Sequence, residues 1–418
     1  MGFFSMKIKT YKIYTLGCKV NQYDSGKLAA ALERAGLTVA RRDADITIIN
    51  SCAVTQTAIN KSVRIVKLAK KENPKAEIRV IGCWARLKGE KIKKIIEEPV
   101  QAGLAMTERS RYFIKIQDGC EQYCSYCIIP YVRGKLKSRP EAEVIEEVKQ
   151  AVAAGFGEIV LSGIHLGLYG HSVMPDSIRH PERLATKKNL DSPPACASAE
   201  GRGNDKTSLV ILLKKLIKIK NLGRIRLSSI EITEVTDKLV NLLVKSNKIC
   251  RHLHIPLQSG SDKILKLMNR PYSIKNYESR IKNIREIIPD IAITTDVITG
   301  FPGEGEKEFK ETENFIKQIK FSRLHIFPFS PHAKLPAAKL PGRVGENQRL
   351  KRARVLRKLG IKLMADYKSK FRGKILEIAV EQIKPNKIVG KTEYYFDVEV
   401  DGRKLKNVKI GEIVKVKN

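Results

Sequence analysis

The sequence predicts an α/β protein in three parts. They are an N-terminal doubly wound parallel α/β domain (7–105), a central incomplete (β/α)6 barrel (108–340) and a small C-terminal β-barrel (371–418) reached through a basic helix (346–370). Three observations carry this reading. Short apolar strands alternate with helical patterns from residue 12 to residue 329, which implies parallel sheets with crossover helices. The first three strands each end on a cysteine, at 18, 52 and 83. From Phe371 the helical patterns stop, and only short β-type runs separated by turn residues remain.

KIYTLGC (12–18) reads as a strand ending at Cys18, and Asp24 to Ala35 as a helix closed by Gly36. DITIINSC (45–52) is a second strand, Thr57 to Lys71 a helix with Lys and Arg outward, and EIRVIGC (77–83) a third strand. Ligands of such sheets sit beyond the carboxyl ends of the strands, where all three cysteines fall. The second series begins near Tyr112. Its strand candidates are YFIKI (112–116), EIVLS (158–162), RIRLSS (224–229), LHIPL (253–257), IAITTDVIT (291–299) and LHIFPF (324–329). Ser138, Pro140, Glu141 and Glu143 mark a helix start, and Gly155 its close. Six strands with crossover helices suggest a relative of the (β/α)8 barrel with two units fewer.

Residues 171–206 are polar, rich in Pro, Gly and Ser and without period, and read as an inserted, disordered surface loop in which Cys196 is a plain thiol. Residues 346–370 form a helix with nine Lys or Arg against one Glu and one Asp, and an apolar stripe from Leu350 to Tyr367. Arg352, Arg354 and Arg357 are its expected phosphate contacts. The closing β-runs, with a turn at Asp401-Gly402, suggest a small barrel of a kind that often binds nucleic acid. Its removal is expected to weaken RNA binding and spare the chemistry of the central barrel.

At 418 residues the chain has room for about three domains. Apolar residues make up 42% and charged residues 29%, which excludes wholesale disorder and collagen-like repeats. Lys plus Arg is 79 against 44 Asp plus Glu, a net charge of +35. Such an excess draws polyanions, nucleic acid first and an anionic membrane surface second. No apolar run approaches a membrane span, and the start lacks the parts of a signal peptide. The expected location is the cytoplasm, with no membrane partner. In a reducing compartment eight cysteines favour metal or catalysis over disulfides.

The strongest signal is Cys120-Glu-Gln-Tyr-Cys124-Ser-Tyr-Cys127, just after a strand. Three neighbouring thiolates can hold three irons of a 4Fe–4S cluster and leave the fourth open for a small molecule. The competing reading, structural zinc, wants a fourth Cys or His at compact spacing, and none follows. At barrel strand ends, Gly163, Glu231, Gln258 and Glu304 sit where such folds build active sites. His252 and His254 alternate along one strand and could face one metal, although buried hydrogen-bonded histidines are the ordinary outcome.

With Tyr126 before the last cysteine, this motif resembles the radical S-adenosylmethionine (SAM) superfamily. The resemblance implies that Cys120, Cys124 and Cys127 are catalytic ligands and that the open iron holds the methionine moiety of SAM, whose reductive cleavage yields a carbon radical. It makes Tyr126, Gly163, Glu231 and Gln258 candidate cofactor contacts. Within the superfamily, TLGCKVNQYDSGKL (15–28), NSCAVTQTAINKSVR (50–64), IGCWA (81–85), KIQDGCEQYCSYCIIPYVRGKLKSR (115–139), HIPLQSGSD (254–262) and DVITGFPGE (296–304) resemble the methylthiotransferase family over most of the chain. That likeness implies a second 4Fe–4S site on Cys18, Cys52 and Cys83, hence two [4Fe–4S] clusters and SAM as cofactors. It also implies a C-terminal TRAM-like RNA-binding module. The wording GCKVNQYDS and CAVT is most like the branch that acts on N6-threonylcarbamoyladenosine beside the tRNA anticodon.

The implied partners are the tRNA anticodon stem-loop and an electron donor such as flavodoxin or ferredoxin, and the implied state is a monomer. The alternatives are the isopentenyladenosine branch, a ribosomal-protein aspartate modifier, a radical SAM methylase, and a non-catalytic RNA-binding iron–sulfur protein. Three features depart from the family pattern. Only 36 residues separate Cys83 from Cys120, so the 84–107 segment is short. The 171–206 insertion is unusual, and PFSPHAKLPAAKLPG (328–342) carries His-Ala-Lys-Leu in place of a basic residue and a Gly-Thr pair.

Overall fold

The computed structural model describes residues 9–88, 110–171, 208–405 and 407–418. The 172–207 stretch with Cys196, and most of the short 84–107 segment, lie outside the described residues. Two compact units emerge, one of residues 9–88 with 127–134, the other of the remaining described residues.

The first unit is a parallel sheet of β1 (Thr10–Thr15), β2 (Thr38–Val39), β3 (Ile46–Ser51) and β4 (Glu77–Gly82) in the order β2-β1-β3-β4. β3 is central and buried along its whole length, as expected of a parallel strand with both faces covered. Tyr11, Leu32, Ile46 and Ile48 form its core. The helix Gln56–Glu72 lies within a residue of its predicted span, its Thr55 hydroxyl accepting from Ala58 N. The first helix begins at Lys19 rather than Asp24. Its opening turn has no acidic residue or hydroxyl cap. A tertiary contact fixes it instead: the buried Asn21 amide donates to Leu16 O (2.7 Å) and Ser51 O (3.1 Å).

In the second unit β5 (Tyr112–Lys115) leads to a ribbon of β6 (Gln117–Asp118) with β7 (Lys137–Ser138). β8 (Glu158–Ser162) and β9 (Arg224–Leu227) join β5 in one parallel sheet. β10 (His252–His254), β11 (Ala292–Thr299) and β12 (Arg323–Pro328) form another. Parallel bridges Ile225↔Ile249 and Ser229↔His254 join the two, so six parallel strands run in chain order, interleaved with helices, as the incomplete (β/α)6 barrel requires. β10 stops at His254, short of the predicted Leu257, because Pro256 has no N–H for the ladder.

The helix Glu346–Ser369 packs on β12, where a Cβ at Gly360 would lie 3.2 Å from the Leu324 side chain. β13 (Ile375–Lys384), β14 (Lys387–Thr392), β15 (Asp397–Asp401) and β16 (Ile413–Lys417) form a curled antiparallel sheet ordered β15-β14-β13-β16. This sheet shares its core with the barrel, since Tyr367, Phe371, Ile378 and Phe396 pack with Ala292 of β11. Polar contacts add to the union. Arg224 donates to Glu377 O (3.0 Å) and Lys391 O (2.6 Å), and Arg226 to Glu393 O (2.9 Å) and Thr392 O (2.8 Å). Both arginines also hold Glu158, at 2.6 and 2.7 Å. A truncation at residue 370 therefore uncovers buried charges, contrary to the expectation that the C-terminal part can be removed without touching the barrel.

The basic helix also needs a correction. Arg352 is buried, pairing with Glu304 Oε1 at 2.9 Å and donating to Glu304 O at 2.8 Å. The helical period puts it beside Ala353 and Leu356 on the packed face, which a count of cations does not reveal. Arg354 and Lys358 are exposed. Reversing both charges should reduce the salt slope of RNA binding by about one per lost phosphate contact, measured as binding affinity against salt. Arg352→Glu should instead lower thermal stability, because it sets a third carboxylate beside Glu304 and Glu306.

Candidate functional site

Two glycine-cysteine pairs shape the carboxyl edge of the first unit. Gly17 and Gly82 take φ of +99° and +87°, which side chains rarely adopt. A Cβ on Gly17 would lie 3.0 Å from Cys52 Sγ, and one on Gly82 would lie 2.4 Å from Ser51 O. The backbone thus turns sharply before Cys18 and Cys83, close against the end of β3. Cys18 precedes the first helix turn, Cys52 follows β3, and Cys83 opens the short helix Cys83–Leu87. Ser62 holds Cys52 by accepting from its N–H and donating to its carbonyl, each at 3.2 Å.

Burial pushes the Cys52 and Cys83 thiols up, and the neighbouring cysteines push each further. The Val54 backbone opposes this at Cys52, Arg86 at Cys83, and Arg133 at both. Arg133, from the helix Ile129–Arg133, hydrogen-bonds Cys83 and the Asn21 side chain, and its Nη1 lies 3.7 Å from Asp24 Oδ2. Two buried thiols beside a fixed guanidinium, with Cys18 next to them, suit thiolates bound to a positive centre. Cys18 is exposed while the other two are buried, so the trio opens to solvent on one side.

In the second unit Cys120 and Cys124 sit on the loop after β6. Tyr123, between them, has φ +49°, and Asn269 Nδ2 donates to its carbonyl at 3.1 Å. Ser125 anchors the next turn through N–H to Met268 O (3.1 Å) and hydroxyl to Leu267 O (2.8 Å). Cys124 is buried, which raises its thiol, while Arg270 beside it pulls the other way and donates from Nη1 to Sγ at 3.3 Å. Arg270 also pairs with Glu231. Cys120 Sγ lies 3.6 Å from His165 Nδ1, and His165 pairs with Glu234. Burial alone would lower the His165 pKa, but Glu234 and Cys120 raise it well above the ordinary value. Cys127, three residues beyond Cys124, is half-buried.

The other expected contacts are placed as follows. Tyr126 packs edge-on to Phe301 at 6.3 Å between ring centres. Gly163 leaves room for Gln117, whose side chain would be 3.1 Å from a Cβ there. Glu231 caps a turn and faces Arg270 beside Cys124. Gln258 has φ +62° and bonds its backbone to β11. Glu304 is a structural partner, accepting from Gly300 N–H and from Arg352. Sequence reasoning missed Arg270, His165, Glu234 and Arg133. The available signal was position alone: Arg133 stands inside the quoted 115–139 motif, His165 two residues after Gly163, Glu234 three after Glu231, and Arg270 eight after the 254–262 motif.

The inner face of the barrel carries a polar column. His252 stacks on Tyr395 (4.3 Å), and its Nε2 meets the Thr294 hydroxyl at 3.0 Å. His254 shares that hydroxyl at 2.9 Å but faces Asp296 and His325. The two strand histidines therefore share a threonine, not a common ligand.

A family model described as the radical SAM superfamily matches residues 114–316, and one described as uncharacterized protein family UPF0004 matches residues 10–102. The threonylcarbamoyladenosine tRNA methylthiotransferase MtaB of Bacillus subtilis is 35% identical over 98% of this chain and 93% of its own length. The tRNA-2-methylthio-N(6)-dimethylallyladenosine synthase of Thermodesulfovibrio yellowstonii is 33% identical over 99% of this chain and 96% of its own. Among solved structures, the radical S-adenosylmethionine methyltransferase TsrM from Kitasatospora setae, with cobalamin and a [4Fe-4S] cluster bound, aligns with a TM-score of 0.53 and 13% identity. It covers 80% of this chain and 77% of that one, a likeness of fold.

Proposed function

The chain belongs to the radical SAM methylthiotransferase family, and from that premise we propose that it places a methylthio group on C2 of N6-threonylcarbamoyladenosine beside the anticodon of tRNA. The observation that carries the substrate is the near full-length likeness to a relative named for that nucleoside. The GCKVNQYDS and CAVT wording around Cys18 and Cys52 points the same way.

The C2–H bond of an adenine is not acidic enough for a positioned base of the usual kind. SAM and a [4Fe–4S] cluster, when bound, supply a carbon radical that removes such a hydrogen. Cys120, Cys124 and Cys127 would hold that cluster. Their fit rests on the donor set, three cysteines in eight residues, and on the Arg270 cation against Cys124 Sγ. Glu231 fixes the guanidinium from its far side. His165 and Glu234 do the same beside Cys120. Tyr126, Gly163, Glu231 and Gln258 stand as the contacts to SAM.

Cys18, Cys52 and Cys83 would hold a second cluster, the carrier of the sulfur. The support is their meeting at one sheet edge, with Arg133 as the balancing charge. The exposed cations of the helix Glu346–Ser369 and the C-terminal sheet, as the TRAM-like module, would grip RNA phosphates, which position without reading sequence. The protein would work in the cytoplasm as a monomer, with flavodoxin or ferredoxin as reductant. Among the described residues no helix is long and apolar enough to cross a membrane.

The test is turnover by the reconstituted protein on two anticodon stem-loops, one carrying threonylcarbamoyladenosine and one isopentenyladenosine. Nucleoside mass spectrometry should find the methylthio product with the first, by about tenfold or more, the low end of what a pocket gains from one small group's difference between substrates. Equal or reversed preference would move the chain to the isopentenyladenosine branch. Absence of SAM cleavage would leave only RNA binding.

A further inference from the structure

His254, Asp296 and His325 lie side by side on β10, β11 and β12 and are the only group of His, Cys, Asp or Glu among the described residues whose ligand atoms all fall within 4.8 Å of one another. They occupy the inner face of the strands. On β12 the alternate residue Leu324 meets Gly360 of the outer helix, so His325 points the other way. On β11 Ile293, Thr295 and Val297 are fully buried toward the helices, while Asp296 keeps some exposure. None of the three residues is among those assigned above to SAM or to either cluster.

We propose that His254, Asp296 and His325 bind one divalent transition-metal ion, of the class that takes imidazole and carboxylate together, such as zinc or iron(II). His254 Nε2 lies 3.2 Å from Asp296 Oδ2, and His325 Nδ1 lies 3.2 Å from Asp296 Oδ1. Ligand atoms at ordinary zinc distances around a tetrahedral ion stand about 3.3 Å apart, so the three atoms, all within 4.8 Å of one another, need only draw together around one Asp296 oxygen. The other nitrogen of His254 is already engaged: Nδ1 meets Thr294 Oγ1 at 2.9 Å. That outer bond is the one that orients a metal-ligating histidine and fixes its tautomer.

The charges also balance. As ligands, one carboxylate and two imidazoles bring a charge of −1 to the ion. Without metal, each imidazole donates its facing N–H to Asp296. On binding, each ring carries its proton on the opposite nitrogen, and no bond changes its oxidation level. His252 stays outside, committed to Tyr395 and Thr294. Arg323, two positions before His325 on the same strand, lies over the Tyr395 ring at 5.9 Å. Three protein ligands leave at least one position open, the mark of a site that accepts a further donor and not of a closed structural one. That position faces the barrel interior.

The test needs no RNA, so its outcome is separate from the fate of the substrate proposal. Full-length protein with its clusters reconstituted is equilibrated with zinc, desalted and analysed for zinc and iron. Wild type should retain one zinc per chain. Asp296→Asn and the His254→Gln, His325→Gln pair should lose at least the roughly tenfold affinity that removal of even an outer partner costs, with iron unchanged. X-ray absorption at the zinc edge of wild type should show nitrogen and oxygen neighbours alone, a result that does not depend on any variant folding. Sulfur neighbours, no zinc in wild type, or zinc retained by the variants would overturn the assignment.

Discussion

A Cys18→Ala, Cys52→Ala, Cys83→Ala triple variant should fold, hold about four irons where wild type holds about eight, still cleave SAM, and make no methylthiolated RNA. The three thiols sit at the ends of adjacent parallel strands in one compact unit, whereas Cys120 and Cys124 lie in the other. Removing the trio should therefore empty one cluster and leave the radical chemistry intact. A structural role for these cysteines would cost stability alone. Anaerobic reconstitution, iron and sulfide analysis, and turnover on a threonylcarbamoylated stem-loop check the expectation. Methylthiolation by the variant, or a wild type with a single cluster, would refute it.

The second large effect concerns Glu158. Its carboxylate is fully buried between Arg224 and Arg226, with Arg111 Nη1 at 3.4 Å. Burial alone would raise its pKa, but the three guanidinium groups hold it far below the usual range. Glu158→Gln leaves two buried cations without their anion and should cost about 3–5 kcal/mol, the loss typical of breaking a buried pair. The pH dependence has a definite sign. A depressed folded pKa adds stability above the unfolded pKa, near 4.5, and that stability is lost as pH falls below it. Wild type should thus lose stability below about pH 4.5 more steeply than the Gln variant, as read by urea unfolding across pH. Parallel curves would remove Glu158 from the account.

The three long strands and the cysteine edge were legible because parallel strands buried on both faces read as continuous apolar runs, as in ITIIN, and because each ended on Gly-Cys or Ser-Cys; the two-residue edge strand Thr38–Val39 was not. The start of the first helix was not, since Asn21 fixes it through contacts with residues 16 and 51. Arg352 was misread for a related reason. Its charge is visible in the sequence, but its partner Glu304 lies 48 positions away. Arg270 and His165 escaped notice because nothing local marks a cation as the neighbour of a thiol 146 or 45 residues distant. Hydrophobic period and turn chemistry act locally, while charge pairing in a core is decided by the finished fold.

The hydrogen bonds from Arg224 and Arg226 to the C-terminal sheet span 153 to 167 residues. A chain leaving the ribosome makes the barrel strands long before it makes their partners. Until the stretch from Glu377 to Glu393 has emerged, the two guanidinium groups at the barrel floor lack their full set of carbonyl partners. Closure then waits on contacts of high sequence separation, which are slow to form. Maturation consequently has an order: the last four strands act as a late seal, and a polypeptide stalled before them should remain sensitive to protease at β8 and β9 whatever iron it has already collected.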